Sequence, residues 1–428
     1  MSARPGPRLF YGWYVIGALF FMSLMGVGGR QGFGLFFPIW QERFDVSISA
    51  LSAIAAAGWV VNGLSQPAAG ALTDRFGGRR VMSGSMAVLG VGAVGVGLAP
   101  NPWVLGVLYI GVISTAMAGV MYASATSVAS RWFRRRRGTA MSVLAAGGSV
   151  GGMVLVPLMA FLLERAGLEA AWLVIGAAMG LVGAPVLALV VRDDPAQLGL
   201  SPDGEGGPAA VGSRAPQAEG PLAVERWQAA YRTAPMWQLS LAYVVCGVTT
   251  ATIAVHFIPY AASVGVSTST AALAFGLLAF INLLGVLGTG ALGDRLLRRD
   301  LLGLIYAVRG VAFALVLVLP AGVGLWVFAV VAGSSWLATV PQTSALSAEI
   351  YGVRVAGAVA GMMNMAHQLG GAAAVLLAGL VFDLIGSYAP TFAAGAILLV
   401  IAAALSFGVR ERATSSRFAA TQMVPGEA

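Results

Sequence analysis

Long apolar runs alternate with short polar turns along this chain, and the runs have the length of membrane spans. A bilayer core is about 30 Å thick and a helix rises about 1.5 Å per residue, so roughly 20 apolar residues cross it. The pattern predicts twelve spans, near 11–37, 50–72, 81–99, 103–130, 138–163, 171–191, 236–262, 270–292, 301–320, 323–346, 355–381 and 389–409. The rhythm fails over 193–233, where Pro, Gly, Ala and acidic residues dominate and no core can be buried. The chain thus reads as an all-α integral membrane protein. A six-helix bundle over 1–192 is followed by a cytoplasmic linker over 193–233, with a short amphipathic helix near Ala223–Tyr231. A second bundle covers 234–410, and a disordered cytoplasmic tail covers 411–428.

The two bundles are repeats. The turn Gly70-Ala-Leu-Thr-Asp74-Arg75-Phe-Gly-Gly-Arg79-Arg80 returns as Gly290-Ala-Leu-Gly-Asp294-Arg295-Leu-Leu-Arg298-Arg299, with Asp294 lying 220 residues after Asp74. Gly70 and Gly290 are expected to let a helix end approach a neighbour. Asp74 and Asp294 are expected to take free amides at a helix start or to pair with nearby arginines. Together with Arg75, Arg79, Arg295 and Arg298 they form candidate gates, bonded in one state and broken in the other. A paired charged turn, one per half, is the pattern of a secondary transporter with internal repeats.

Composition agrees with a lipid setting. Hydrophobic residues make up 58% and charged residues 10%, against about 25% charged in soluble domains, and mean hydropathy is +0.84. The formal net charge is +8, and all 25 basic residues are arginine. All but Arg30, Arg43, Arg165 and Arg309 fall in termini or in turns on one side of the predicted topology. That bias puts both termini in the cytoplasm of a multi-pass inner-membrane protein. The run Arg131–Arg137 reads as a retention signal beside anionic lipid, not as a nucleic-acid site. One cysteine, Cys246, and two histidines, His256 and His367, offer no metal cluster and no disulfide. No nucleophile paired with a base, and no phosphate loop, points to an enzyme. The glycines Gly147, Gly148, Gly151 and Gly152 lie within a span and read as a packing seam between the halves.

The two charged turns resemble those of the major facilitator superfamily, which implies its fold of two pseudo-symmetric six-helix bundles. Tyr11-Gly-Trp-Tyr-Val-Ile-Gly-Ala, Arg30-Gln-Gly-Phe-Gly-Leu-Phe-Phe, the segment from His256 in span 7 and the segment from Asp383 to Tyr388 in span 11 are similar to the monocarboxylate transporter branch. The resemblance places Arg30 on that branch's span-1 lysine and implies substrate and proton-coupled binding there. It fails in span 8, where the branch's Asp and Arg are replaced by Asn282 and Val286. Asn282 is left as a neutral hydrogen-bonding group for the cavity.

Ionisable residues inside a membrane are functional candidates. Arg30 fits a carboxylate through two parallel hydrogen bonds. His367, about twelve residues into span 11, and His256, in the outer half of span 7, are candidates for substrate and for a coupling proton. Tyr122 and Asn364 complete the candidate substrate contacts, and Asn62, Gln66, Trp336 and Gln342 are further polar or aromatic candidates. Arg309 is expected near the inner end of span 9, paired with Asp294 or Asp300. No acid lies near the middle of a span, which favours anionic or uncharged cargo. The expected function is alternating-access transport of a small organic anion, a carboxylate for preference, with a proton or by exchange. The expected state is a monomer in lipid with no cofactor. Export of a neutral or acidic drug or metabolite is the other reading, and the retained gate turns argue against a sensor.

Overall fold

The computed structural model describes residues 10–133, 137–204, 221–293, 295–352 and 355–419. Within them the chain is helical and has no strand. The spanning helices are α1 (Tyr11–Gln31), α2 (Ile48–Phe76), α3 (Gly78–Gly97), α4 (102–132), α5 (137–166), α6 (168–190), α7 (Ala234–Ser263), α8 (Thr268–Gly293), α9 (Arg298–Val318), α10 (Ala321–Gly333 and Thr339–Tyr351), α11 (Ala356–Ile385) and α12 (Ala389–Phe407). A reversal at Gly167, with φ 86° and ψ 178°, divides α5 from α6 inside one long apolar stretch. This gives twelve apolar segments, as the hydrophobic pattern predicts.

Two spans are discontinuous, and they hold equivalent places in the two repeats. In α4 the helix stops at Val120 and restarts at Tyr122, with Met121 extended at φ −79°, ψ 173°. A π-helical stretch, Val107–Ile113, precedes the break. In α10 the helix stops at Gly333 and restarts at Thr339.

Local chemistry explains the turns. Asn101 caps α4 by accepting the Val104 amide at 3.0 Å, with Pro102 in the first turn. Only Gly77 separates α2 from α3, and it does so at φ 86°, a conformation that favours glycine. The second copy of the turn is longer. Its cap residue, Leu297, sits at φ −67°, ψ 127°, which any residue adopts, so this copy needs no glycine there.

The chain packs as two compact units, one of Met1–Gly32 with Leu64–Ser213 and the other of Phe33–Gly63 with Arg214–Ala428. Each uses the same helix pairs. In the first, α1 meets α5 through glycines: a Cβ on Gly151 would collide with the Leu24 carbonyl oxygen, and one on Gly28 with the Gly151 backbone. The glycine stripe of α5 therefore packs on α1, not between the halves as expected, because α1 offers its own small residue at the crossing. In the same unit α3 meets α6 at Gly90, Gly176 and Gly180. In the second, α7 crosses α11 where Gly247 abuts the His367 carbonyl, and α9 meets α12 where Gly303 faces the Phe407 ring.

The first half of α2 lies antiparallel along α11 within the second unit. Ser49 stands opposite Asp383, Ser52 opposite Gly379, Trp59 opposite Gly371 and Asn62 opposite Gln368. Each step forward on α2 is matched by an equal step back on α11. The Gln368 amide donates to Asn62 Oδ1 at 3.0 Å.

Gly70 and Gly290 do not serve a close approach: a Cβ on either meets no atom within 4 Å. The crowded positions are their neighbours Gly78, against Val128, and Gly293, against Gln342. In the 193–233 region a helical turn forms at Trp227–Ala230. The tail is not free either. Residues Glu411–Thr414 and Ser416–Ala419 are helical turns, and Glu411 is fully buried.

Glycine-dependent contact makes a direct prediction. Gly151→Ala is expected to destabilise the folded protein by about 1–3 kcal/mol, read as a lower melting temperature in detergent. Gly17→Ala, where a Cβ meets nothing within 4 Å, is expected to be neutral or slightly stabilising.

Candidate functional site

Arg30 sits in the last turn of α1, where the helix dipole favours a cation. It is partly buried and shares a hydrogen bond with Tyr109, which the π-helical stretch of α4 presents. The irregular turn in α4 thus supplies a hydroxyl that orients the guanidinium.

In the second unit the break in α10 organises the polar groups. Backbone inside a membrane that leaves helical geometry must find partners in the protein. Asn282, fully buried on α8, accepts the Leu337 amide at 2.9 Å. Arg309, 0% exposed, donates from Nη2 to the carbonyls of Ser335 and Trp336, the latter at 2.6 Å. Its Nη1 reaches Thr249 Oγ1 at 3.2 Å and the Cys246 sulfur at 3.7 Å. Cys246 in turn lies 3.0 Å from Thr339 Oγ1, at the restart of α10.

This corrects the expectation for Arg309. It is the twelfth residue of a 21-residue helix, not near its end. Its partners are carbonyls, a hydroxyl and a thiol, while Asp300 pairs with Arg299 at 3.2 Å. Asp294 lies outside the described residues. The carbonyl end of the first half of α10 and its free carbonyls stabilise the charge that an acid was expected to balance.

The two histidines differ. His256 is fully buried, with Nε2 2.9 Å from the Val375 carbonyl and Nδ1 3.3 Å from the Tyr388 hydroxyl. A carbonyl accepts only, so Nε2 donates to Val375, and with Nδ1 against the Tyr388 hydroxyl both ring nitrogens are used. His367 is 8% exposed, between Tyr243 at 4.9 Å and Trp59 at 6.5 Å. Neither of its ring nitrogens bonds a nitrogen or oxygen of the described residues, and the Cys246 thiol faces it. Asn364 lies on α11 one turn before His367 and is half-buried. The Tyr122 side chain lies outside what is described. Of the remaining candidates, Gln342 links Arg298 to the Thr289 carbonyl, at 2.9 Å on each side.

The charged turns are held by acids that sequence reading missed. The Arg79 amide, at the start of α3, donates to Asp193 Oδ1 at 2.8 Å, and Arg79 Nε donates to the Ala188 carbonyl at 2.5 Å. The Arg299 amide, at the start of α9, donates to Glu411 Oε2 at 2.8 Å, and Arg299 Nη1 reaches the Val409 carbonyl at 3.1 Å. Asp193 follows α6 and Glu411 follows α12, so the two caps are repeats of each other. They fill the amide-capping place expected of Asp74 and Asp294. The Asp74 side chain, like Asp294, lies outside what is described. Arg298 pairs with Glu349 at 2.8 Å. Arg75 and Arg295 are exposed. The signal available in the sequence was the acid that follows the last apolar residues of each half.

Two six-span repeats, each with a buried or half-buried guanidinium and a capped charged turn, define a multi-span membrane carrier. The chain belongs to the Major Facilitator Superfamily, whose model matches residues 19–375. It resembles the monocarboxylate transporter branch. It is 27% identical to Monocarboxylate transporter 13 of Bos taurus over 398 residues, 91% of this chain and 87% of that one. It is 25% identical to the uncharacterized MFS-type transporter YcxA of Bacillus subtilis (strain 168), covering 94% of each chain. Its fold is similar to the crystal structure of a bacterial homolog to the human lysosomal transporter Spinster, in an inward-facing and occupied conformation. That likeness has a TM-score of 0.70 at 19% identity and covers 94% of this chain and 97% of the other.

Removing Arg309 leaves two buried carbonyls without donors, each costing about 1–3 kcal/mol. Arg309→Ala is therefore expected to lower the melting temperature sharply. Arg309→Lys is expected to restore little of it, because an ammonium lacks the planar fork that spans both carbonyls.

Proposed function

We propose that this protein is a secondary carrier for a small organic anion, a carboxylate for preference, working by alternating access with a proton or by exchange. One observation carries the reading. Arg309 stands at the middle of α9 and Arg30, in the last turn of α1, is partly buried against Tyr109, while every acid on a described spanning helix lies within three residues of a helix end or of the Gly167 reversal. A positive charge at mid-helix, with no acid at the middle of any described spanning helix, attracts anions and repels cations, and low dielectric strengthens both effects. The branch resemblance and the name of the bovine relative, a monocarboxylate transporter, support the same class of cargo.

Arg30 is the group assigned to grip the carboxylate, with Tyr109 steering it. Arg309 has four of its five donors engaged, so its part is to fix the break in α10 and to supply charge. His367 is assigned the coupling proton, because its nitrogens have no nitrogen or oxygen partner among the described residues. Asn364 and Tyr122 remain candidate lining groups. His256 and Asn282 act through the frame, since their polar atoms serve Tyr388, Val375 and Leu337. The capped turns at Arg79 and Arg299 gate the face that the arginine bias assigns to the cytoplasm of a plasma-membrane protein, where both termini lie. The carrier is read as a monomer, needs no cofactor and performs no enzyme chemistry.

Counterflow in proteoliposomes with a panel of labelled carboxylates, at about pH 5.5 and about pH 7.5, tests this across the histidine range. Saturable exchange is expected in the wild type. Arg30→Ala is expected to lower it by about ten- to a hundredfold, the worth of one charged hydrogen bond, with an unchanged melting temperature. Absence of exchange from folded wild-type protein overturns the reading in favour of export of another compound.

A further inference from the structure

Asp383 ends α11 on the face opposite the arginine-rich turns, and it completes the capping of α2 that Ser47 begins. Its Oδ2 accepts the Ser49 amide at 2.9 Å. The Ile48 amide and the hydroxyls of Ser47 and Ser49 converge on the same carboxylate. These are the free donors of the first turn of α2, which an ordinary helix satisfies with its own cap residue. Here Ser47 takes only the Ala50 amide, at 3.2 Å, and the Ile48 and Ser49 amides are capped from α11, in the case of Ser49 from 334 residues away. The paired positions Ser52 with Gly379, Trp59 with Gly371 and Asn62 with Gln368 run from this cap to His367. The carboxylate therefore closes the open end of a helix-on-helix clasp whose other end is the candidate coupling histidine.

We propose that Asp383 is a proton-binding positioning residue of the transport cycle, whose ionised form latches the first half of α2 to α11 and whose protonated form releases it. The sign follows from the bond. A carboxylate accepts several N–H and O–H donors and faces the positive end of the helix dipole, while a carboxylic acid loses the charge and much of the accepting capacity. The donors favour the charged form, so the latch holds through the ordinary carboxylate range and fails only as pH falls below it. Proton entry from the face away from the arginine-rich turns would free α2 there, at the moment an anion and a proton are to enter together.

The other titratable groups around Asp383 are few. Burial, and then the Asp383 charge itself, hold the Tyr388 hydroxyl well above the ordinary tyrosine range, so it stays neutral throughout. His256 bonds that hydroxyl from α7. On the segment before α2, the Arg43 guanidinium lies 5.7 Å from the Phe44 ring centre, and Asp45 forms the left-handed turn at φ 49°. Neither contributes a bond to the Asp383 carboxylate among those described.

For its place in the cycle the latch rests on the carrier reading, but it can be tested without cargo. The experiment is amide hydrogen exchange of full-length protein in lipid nanodiscs, followed over 47–56 from about pH 7 to about pH 2.5, below the ordinary carboxylate range, and corrected for the intrinsic rate. Protection of the Ile48 and Ser49 amides is expected to fall about five- to tenfold in the wild type, the worth of one helix cap. Asp383→Asn keeps the shape, removes the titration, and is expected to show weaker protection that is flat with pH. A flat wild-type profile overturns the proposal even if the variant does not fold. An unchanged pH response in Asp383→Asn also overturns it and assigns the response to His256. Either result leaves the carboxylate counterflow free to succeed or fail independently.

Discussion

Peptide groups that leave a helix inside lipid have no water to bond, and each one left unpaired costs several kcal/mol. The second unit is arranged around this constraint. α10 is broken between Gly333 and Thr339, and the repair comes from three directions. Asn282 on α8 takes an amide, Arg309 on α9 takes two carbonyls, and Thr249 and Cys246 on α7 hold the same guanidinium. One irregular turn therefore fixes the rotation of three neighbouring helices. It also keeps a full positive charge at depth, because the charge is the means of repair. The structural and electrostatic roles of Arg309 are one role.

The same economy appears at the charged turns. An acid that follows the last helix of a half caps the first turn of that half's third helix, once as Asp193 with Arg79 and once as Glu411 with Arg299. Each half is thus closed on itself at its arginine-rich end by one carboxylate. At the opposite end Asp383 extends the device, since it caps a helix that begins in the other half of the sequence. Among the described residues no carboxylate stands at the middle of a spanning helix, and Asp193, Glu411 and Asp383 each cap a helix start.

Much of the fold was legible in the sequence because hydrophobic length is set by the bilayer and not by tertiary partners. Twelve runs and one polar interruption follow from that alone, and the paired turns show the repeat. The site was legible only in part. Arg30 stands out because a charged residue in an apolar run is conspicuous. The partners of Arg309 do not stand out, because backbone carbonyls have no letter of their own, and Gly333 and Pro341 beside the break in α10 do not say which side chain repairs it. Asp193 and Glu411 looked like the start of a linker and of a tail, since their partners lie over a hundred residues away. The glycine stripe of α5 was visible, but its partner was not, because spacing shows that a helix can be approached and says nothing of by which neighbour.

The lone thiol has a practical consequence. Cys246 is buried against Thr339, Thr250, His367 and the Arg309 guanidinium, so a water-borne maleimide does not reach it in this conformation. The natural sequence is already a quiet background for thiol labelling. Probe cysteines can be placed one at a time on loops or helix ends without first rebuilding the interior. Labelling of the unaltered protein then reports a conformation in which the surroundings of Cys246 have opened.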